Sequence, residues 1–316
     1  MIDTPLVKSY CNHVALEKGL DPAGSAGYFQ DAVIMELPFP WKRDYAAMGL
    51  PQEMMKLLEL WMQRYRETGV YGHRPLLIAP DSDYSQAGYR RVMFYTRPSG
   101  AFAAFAKTEY LVPEAEMGAL VWAWYEAPEN LPHYETYLQD NQQRDILICT
   151  HGSVDAACAK FGYPLFKHLR DNCTSDSVRV WRVSHFGGHV FAPTLMDMPK
   201  ADYWAYVETA QGEQIIERRG DIHQLYQHYR GWAGFEMGFV QAAERECLMR
   251  EGWAWQQIPK TVCILRQDEA DTPQWVEVAI NDYRLRAELL PSIELIHTSN
   301  QADTYAYPQY QTTFLE

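Results

Sequence analysis

The chain has 316 residues, 47% of them hydrophobic, and a formal net charge of −13 at pH 7. This length predicts about two domains, and the apolar fraction is large enough for sizeable cores. The excess of acidic residues argues against a nucleic-acid partner and against binding to an acidic membrane surface, and it favours a basic protein partner.

The N-terminal stretch over residues 1–20 has no apolar core of the kind that a signal peptide needs, and no window is long and apolar enough to predict a membrane span. Six cysteines are too few for a disulfide scaffold in a chain of this length. We therefore expect a reducing cytoplasmic location, where thiols stay available as ligands or redox groups.

Residues 1–140 show the pattern of an α/β domain. A short helical segment is expected to end at a turn over residues 21–24. A helix over residues 52–65 is predicted because its apolar residues recur at helical spacing. Strands are predicted over residues 31–37, 76–80, 90–97 and 102–112, and a second helix over residues 114–127. The predicted order is β-α-β-β-β-α.

Residues 141–257 show the pattern of a second α/β domain. A strand over residues 145–150 precedes a helix that runs to about residue 170, with Ser153 and Asp155 as candidate N-caps. A strand over residues 178–184 ends directly before His185. A hairpin is expected over residues 203–218, and helices over residues 221–232 and 239–251.

The pattern becomes all-β after Pro259, and residues 258–316 predict a small β-rich extension packed on the second domain. The two α/β units have a similar predicted order, and residues 91–100 look like residues 179–189. One hypothesis is a duplicated domain whose first copy has lost its ligands. The alternative is that any small α/β domain gives this order.

The segment over residues 149–189 contains the residues best suited to chemistry. Cys149 and Cys158 have eight residues between them, and His185 and His189 follow after 26 more. Two thiols and two imidazoles make a complete four-ligand set for a metal centre. Cys149 and His185 each stand at the end of a predicted strand, so we expect them to meet at one edge of the sheet.

Two glycines, Gly187 and Gly188, separate the histidines and predict a loop that can approach a cofactor closely. A single zinc ion accepts two cysteines and two histidines, although structural zinc sites pair cysteines two to four residues apart. A 2Fe-2S cluster spans more space and suits a wider gap. Spacing alone leaves iron–sulfur, zinc and no metal open. In a cluster with this asymmetric ligand set, an added electron is expected on the histidine-bound iron. The reduction potential is expected to lie above that of an all-cysteine ferredoxin, and reduction is expected to be coupled to protons on the imidazole rings.

The pattern C-x8-C followed by H-x-G-G-H resembles the sucrase/ferredoxin-like family, which includes the actin-patch-distal-type proteins. The segments CTHGSVDAACAKFG (149–162) and WRVSHFGGHVFAPT (181–194) are similar to that family, and so are DPAGSAG (21–27) and ELPFPW (36–41). The resemblance covers roughly residues 10–255. It implies a thioredoxin-like ferredoxin domain over residues 141–257 and a divergent α/β domain, itself a candidate for a thioredoxin-like fold, over residues 1–140.

The same resemblance implies a 2Fe-2S cluster with Cys149 and Cys158 on one iron and His185 and His189 on the other. We expect an electron carrier, because the four-ligand set stands without a competing catalytic motif. Its redox partner protein is unidentified, and a flavin-dependent reductase is a candidate donor on general grounds. The histidines depart from the all-cysteine pattern of other thioredoxin-like ferredoxins. The word sucrase implies a hydrolase, but no pair stands out among the 41 acidic residues.

Other residues near the motif have both a functional and a structural interpretation. His151 is a candidate proton donor or a local hydrogen-bonding residue, and Arg182 faces either the cluster or solvent. Asp155 is expected to be an N-cap, and Lys160 is expected to lie on a solvated helix face. The remaining thiols are expected to be spare or structural: Cys11, Cys173, Cys247 and Cys263. The alternative functions are a thiol-redox enzyme that uses Cys149 and Cys158, and a zinc-stabilised interaction module.

Overall fold

The computed structural model describes residues 10–69, 72–299 and 301–316. Within these ranges the strands form one mixed sheet of ten strands and one antiparallel sheet of four strands. The helices are α1 (Cys11–Glu17), α2 (Gln52–Thr68), α3 (Met117–Glu126), α4 (Ala156–Asn172), α5 (Thr209–Glu217) and α6 (Gly238–Glu251). The predicted α/β fold with a small β-rich extension is confirmed.

The first half of the large sheet contains β1 (Asp31–Glu36), β2 (His73–Ile78), β3 (Tyr89–Thr96), β4 (Ala106–Pro113) and the short β5 (Leu138–Gln139). Strand β1 pairs with β2 in parallel and with β3 in antiparallel fashion, and β3 pairs with β4 in antiparallel fashion. The spatial order is therefore β2-β1-β3-β4, with the strand directions of a thioredoxin-like unit.

The second half contains β6 (Arg144–Cys149), β7 (Val178–Val183), β8 (Leu195–Met198), β9 (Asp202–Trp204) and β10 (Tyr229–Trp232). Its order is β7-β6-β8-β9, with β6 and β7 parallel and the other pairs antiparallel, so it repeats the order of the first half. Strands β2 and β7 pair at Ile78 and Val183, which joins the two halves into one sheet.

Strands β1 and β6 lie inside the sheet, and buried side chains pack against both faces of β1. Residues 32–36 of β1 and residues 145–149 of β6 are all buried, which explains why both strands are nearly continuous apolar runs. Because β6 and β7 are parallel, the carboxyl ends of these two strands lie side by side. This edge of the sheet carries the residues predicted to bind a metal.

The predicted hairpin over residues 203–218 and the helix over residues 221–232 were wrong. Residues 209–217 form α5, and Gly212 allows it to pack closely, since a Cβ atom there would lie 2.8 Å from Leu169 of α4. Residues 229–232 form the edge strand β10 with a register shift at Gly231, whose φ is +135°. In both segments packing against neighbouring elements overrides the local turn and helix signals.

The β-rich extension is confirmed as a sheet of β11 (Val262–Gln267), β12 (Trp275–Ile280), β13 (Tyr283–Thr298) and β14 (Gln301–Phe314). One face buries Val276, Val278 and Leu285, and the tyrosine-rich last strand packs Tyr310 against Phe239 of α6, with ring centroids 5.0 Å apart. In the described ranges no helix has both the length and the apolar character needed to cross a bilayer.

Candidate metal centre

Three of the four predicted ligands meet at the carboxyl edge of β6 and β7. Cys149 is the last residue of β6, Cys158 lies in the first turn of α4, and His185 follows β7. The Nδ1 atom of His185 lies 3.8 Å from the Cys149 sulfur and 3.7 Å from the Cys158 sulfur. Both cysteines are buried, whereas His185 is partly exposed. The sequence expectation that the two strand ends bring these residues together matches this arrangement.

The close approach of α4 to Cys149 depends on a glycine. A Cβ atom added to Gly162 would lie 2.0 Å from the carbonyl oxygen of Cys149, a distance that backbone atoms cannot accommodate without moving. Gly162 therefore fixes the separation between the helix that carries Cys158 and the strand that carries Cys149. This role could not be predicted from the sequence, because a glycine inside a helix indicates only a lower helix propensity.

We expect Gly162→Ala to destabilise the fold by about 1–3 kcal/mol, because the new methyl group must push α4 away from β6. The greater helix propensity of alanine offsets this by about 1 kcal/mol at most. Chemical denaturation measures the effect. Gly72→Ala is the matched control, because its Cβ atom would meet only Gln30 at 3.4 Å. Equal stability of the two variants would contradict the packing argument.

The fourth predicted ligand, His189, belongs to a second group of three buried residues. Its ring centroid lies 5.6 Å from that of His185. Its Nδ1 atom lies 3.5 Å from the sulfur of Cys11 and 3.8 Å from Oδ2 of Asp155. Asp155 is the N-cap of α4, as expected, and its two oxygens accept hydrogen bonds from the N–H groups of Ala157 and Ser299, each at 2.8 Å.

Cys11 and Ser299 are site residues that the sequence analysis missed. The Ser299 hydroxyl donates to the Cys11 sulfur at 3.2 Å, and the Cys11 N–H donates to the Ser299 hydroxyl at 3.0 Å. Burial raises the pKa of the Cys11 thiol to about 11, although the hydrogen bond from Ser299 opposes this. Helix α1 and the end of β13 therefore close over His189 from outside the motif. Neither lies near the motif in the sequence, so no spacing pattern could have revealed them.

The two motif cysteines have pKa values that are shifted in opposite directions. Burial raises the pKa of Cys149, but hydrogen bonds from Cys158 and His185 outweigh it and hold this pKa well below its ordinary value. The hydrogen bond to Cys149 raises the pKa of Cys158 well above its ordinary value, and burial adds to the increase. Cys149 therefore loses its proton more readily than Cys158 does.

The loop between the histidines has the backbone shape that its glycines permit. Gly187 and Gly188 have φ angles of +98° and +79°, and a Cβ atom on Gly188 would lie 2.6 Å from the guanidinium of Arg230. Arg230 donates to the Gly187 carbonyl at 3.0 Å and to the Ser25 carbonyl at 2.6 Å. Its burial lowers its pKa to about 10. Arg230 was missed, and it explains why the segment DPAGSAG lies beside the motif.

His151 and Arg182 have partners that favour structural roles. The Nδ1 atom of His151 accepts the backbone N–H of His185 at 3.2 Å, and its Nε2 donates to the Lys42 carbonyl at 3.1 Å. Burial lowers the pKa of His151, so the neutral ring holds the loop in place. The Arg182 guanidinium lies over the rings of Phe39 and Tyr163 at 3.9 and 5.0 Å. Lys160 is exposed on α4, as expected.

The distances around His185 suit a metal. A tetrahedral ion with bonds of about 2.3 Å to sulfur and 2.0–2.1 Å to nitrogen holds its ligand atoms roughly 3.3–3.8 Å apart. The distances from His185 to the two sulfur atoms are close to this range. Within the described residues, the other cysteines, Cys173, Cys247 and Cys263, lie in neither group.

A family model described as sucrase/ferredoxin-like matches residues 22–231, about two thirds of the chain. The chain belongs to the sucrase/ferredoxin-like family. The match includes all four motif ligands, but it excludes Cys11 and Ser299, so the residues that close over His189 lie outside the matched region. Comparison with curated proteins and with solved structures finds no match.

The donor chemistry of this sucrase/ferredoxin-like protein is compatible with a 2Fe-2S cluster and with a single zinc ion. Two soft thiols and two imidazoles stand side by side, and most of their surface is removed from water, which is the chemistry that iron–sulfur centres use. The second group has a different character, because the Asp155 carboxylate already accepts two backbone N–H groups. We therefore interpret Cys11 and Asp155 as residues that support His189.

Proposed function

We propose that the chain is a one-electron carrier that binds a 2Fe-2S cluster through Cys149 and Cys158 on one iron and His185 and His189 on the other. The observation that carries this proposal is the meeting of both thiols with His185, beside the His189 ring, in a sucrase/ferredoxin-like chain. Such a cluster supplies a one-electron couple, and its unequal ligands favour placing the electron on the histidine side.

The protein's own residues prepare the site in three ways. The contacts of Cys149 with Cys158 and His185 lower the pKa of Cys149, which favours the thiolate form that binds a metal. The contact of Cys11 and Asp155 with Nδ1 of His189 leaves Nε2 as the nitrogen that would bind the metal. Arg230 places a buried positive charge behind the histidine loop, where it stabilises added negative charge.

A thiol-redox enzyme is the second candidate, and the lowered pKa of Cys149 beside a second thiol favours it. In such an enzyme Cys149 would attack a disulfide and Cys158 would resolve it. However, each cysteine has only 1% of its surface exposed, which closes the sulfur atoms to a protein disulfide. The two histidines would also have no role. The electron-carrier proposal uses all four side chains.

The proposed partner is a redox protein that supplies or takes the electron, with a flavin-dependent reductase as the donor on general grounds. A reducing compartment such as the cytoplasm would keep the thiols available as ligands. Coupling of the electron to a proton on the imidazoles stays a prediction of the ligand set.

Stepwise reduction of the anaerobically purified protein tests the proposal. We expect visible charge-transfer absorbance that dithionite bleaches with one electron per chain, and a single-spin EPR signal that changes when the histidines carry ¹⁵N. Cys263→Ser is the control, because Cys263 is exposed on β11, outside the site. Colourless protein that binds one zinc ion and takes up no electron would contradict the proposal and support the zinc-stabilised module.

A further inference from the structure

A small aromatic and cationic surface borders the cysteine loop. The Arg182 guanidinium lies between the rings of Phe39 and Tyr163, which are 39% and 45% exposed. Single exposed apolar side chains are common on protein surfaces, but here two aromatic rings contact one guanidinium and form a joint apolar and cationic surface. Together with three exposed cationic residues nearby, Lys42, Arg43 and Lys160, these residues form what we call the Arg182 patch.

The patch touches the loop that begins at Cys149. Arg182 Nε donates to the hydroxyl of Thr150, the residue directly after Cys149, at 3.3 Å. The hydroxyl of Ser153 donates to the Trp41 carbonyl at 2.9 Å, and His151 donates to the carbonyl of Lys42. The segment that carries Phe39, Lys42 and Arg43 therefore lies along residues 150–153. A molecule seated on the patch would lie next to the proposed centre.

The charge of the patch is opposite to that of the chain. Within the described ranges none of its four cationic side chains, Lys42, Arg43, Lys160 and Arg182, has an ion pair, while the whole chain has a net charge of −13. The neighbouring acidic residue, Asp44, is occupied as the cap of a turn, where it accepts the Ala46 N–H. Burial lowers the pKa of Arg182, and no carboxylate opposes this. Uncompensated positive charge thus surrounds two exposed aromatic rings.

These features are those of a transient protein interface. Arginine and tyrosine are enriched at the centres of interfaces, where their removal costs most of the binding energy. Electron-transfer complexes bury little area, so a patch of this size is sufficient. Their encounter is steered by complementary charge around the redox centre, which raises the association rate.

We propose that the Arg182 patch is the docking surface for an acidic one-electron donor protein. The proposal rests on the proposed function, and it replaces the basic partner that the net charge of the chain favoured. In the docked complex one electron leaves the donor's reduced cofactor and enters the centre beside Cys149. No covalent bond forms or breaks in that step.

Stopped-flow electron transfer from reduced flavodoxin, an acidic flavoprotein probe, tests this surface. We expect a rate that falls as ionic strength rises, because salt screens the attraction. The double charge reversal Lys42→Glu/Lys160→Glu should slow the reaction at low ionic strength on the order of tenfold. Both residues are exposed and unpaired among the described residues, so circular dichroism and iron content are expected to stay unchanged.

The matched control is Arg219→Glu/Arg284→Glu, which changes the net charge by the same amount away from the Arg182 patch. Arg284 is exposed near the start of β13 in the four-stranded sheet. Arg219 directly follows Arg218. Arg218 pairs with Asp197, and Asp197 also pairs with Arg144 at the start of β6. This control should leave the flavodoxin rate near that of the unaltered protein.

A second probe separates local from overall charge. Oxidation of the reduced protein by cytochrome c, a basic protein, should not be slowed by the Lys42→Glu/Lys160→Glu change. If dithionite bleaches the centre, two results would overturn the docking proposal without affecting the proposed function. One is equal slowing of the flavodoxin reaction by both double variants, and the other is a rate that does not depend on salt. If dithionite bleaches nothing, the proposed function and the docking proposal fail together.

Discussion

Replacing Arg179 by methionine is expected to lower the free energy of unfolding by about 3–5 kcal/mol. Arg179 of β7 is buried, and it donates to Asp145 of β6 at 2.8 Å and to Glu109 of β4 at 2.7 Å. Asp145 and Glu109 are also buried, so removal of the guanidinium leaves two carboxylates short of positive charge in the core. This network connects the two halves of the large sheet.

The remaining partners cannot replace Arg179. The Lys107 ammonium lies 2.7 Å from Asp145 and 3.0 Å from Glu109, so it already serves both carboxylates. Among the described residues, Glu109 is the carboxylate with which Arg91 forms an ion pair. Urea denaturation measures the change, with Arg64→Met as control, because Arg64 is half exposed and its pair with Glu126 contributes about 0–1 kcal/mol. Similar losses in the two variants would contradict the role of the buried network.

The pH dependence of stability reports on the same network. The Asp145 carboxylate is fully buried, and the positive charges of Arg179 and Lys107 overcome this burial and lower its pKa to about 2. Because the folded pKa lies below the unfolded value of about 3.9, the carboxylate stabilises the folded state above about pH 4. This contribution is lost as the pH falls toward 2. We expect this loss to be smaller in Arg179→Met, since that variant lacks most of the pKa depression.

Replacing Cys149 by serine is expected to remove nearly all of the bound iron. The serine hydroxyl is a hard and neutral donor, and it cannot take the place of a buried thiolate on iron. Cys158→Ser and His189→Ala should have the same effect, because each removes one of four ligands. Iron analysis after anaerobic purification measures the loss.

Two thiols outside the site provide controls for this series. Cys173 lies at the end of α4 and Cys263 on β11, and neither belongs to the ligand groups found among the described residues. Cys173→Ser and Cys263→Ser should keep the full iron content. Retention of iron by both Cys149→Ser and His189→Ala would show that these residues are not ligands.

The positions of the motif ligands could be predicted because they depend on local rules. Cys149 ends an apolar strand and His185 follows another, and parallel strands bring their carboxyl ends together. The glycines between His185 and His189 predicted a loop, and both glycines adopt positive φ. These features need only strand periodicity and glycine chemistry.

Residues that reach the site from distant segments could not be predicted. Cys11 and Ser299 touch only because α1 and β13 pack together near His189. Arg230 stands on β10, a strand that the sequence pattern predicted as helix, so its contact with Gly187 was hidden. Long-range pairing of this kind leaves no spacing pattern in a single sequence.

The sequence similarity between residues 91–100 and 179–189 does not mark equivalent positions in the two halves of the sheet. Arg91 lies on β3, which pairs with β1 in antiparallel fashion, whereas Arg179 lies on β7, which pairs with β6 in parallel. These strands are not equivalent in the shared order of the two halves. Both arginines instead pair with Glu109, so a shared packing role accompanies the likeness.

Iron and acid-labile sulfide, measured together on anaerobically purified protein, test the central claim most directly. A 2Fe-2S centre held by Cys149, Cys158, His185 and His189 predicts about two irons and two sulfides per chain. Sulfide separates a cluster from a single ion, because neither a lone zinc nor a lone iron ion contains it. One zinc ion per chain without sulfide would contradict the electron-carrier account.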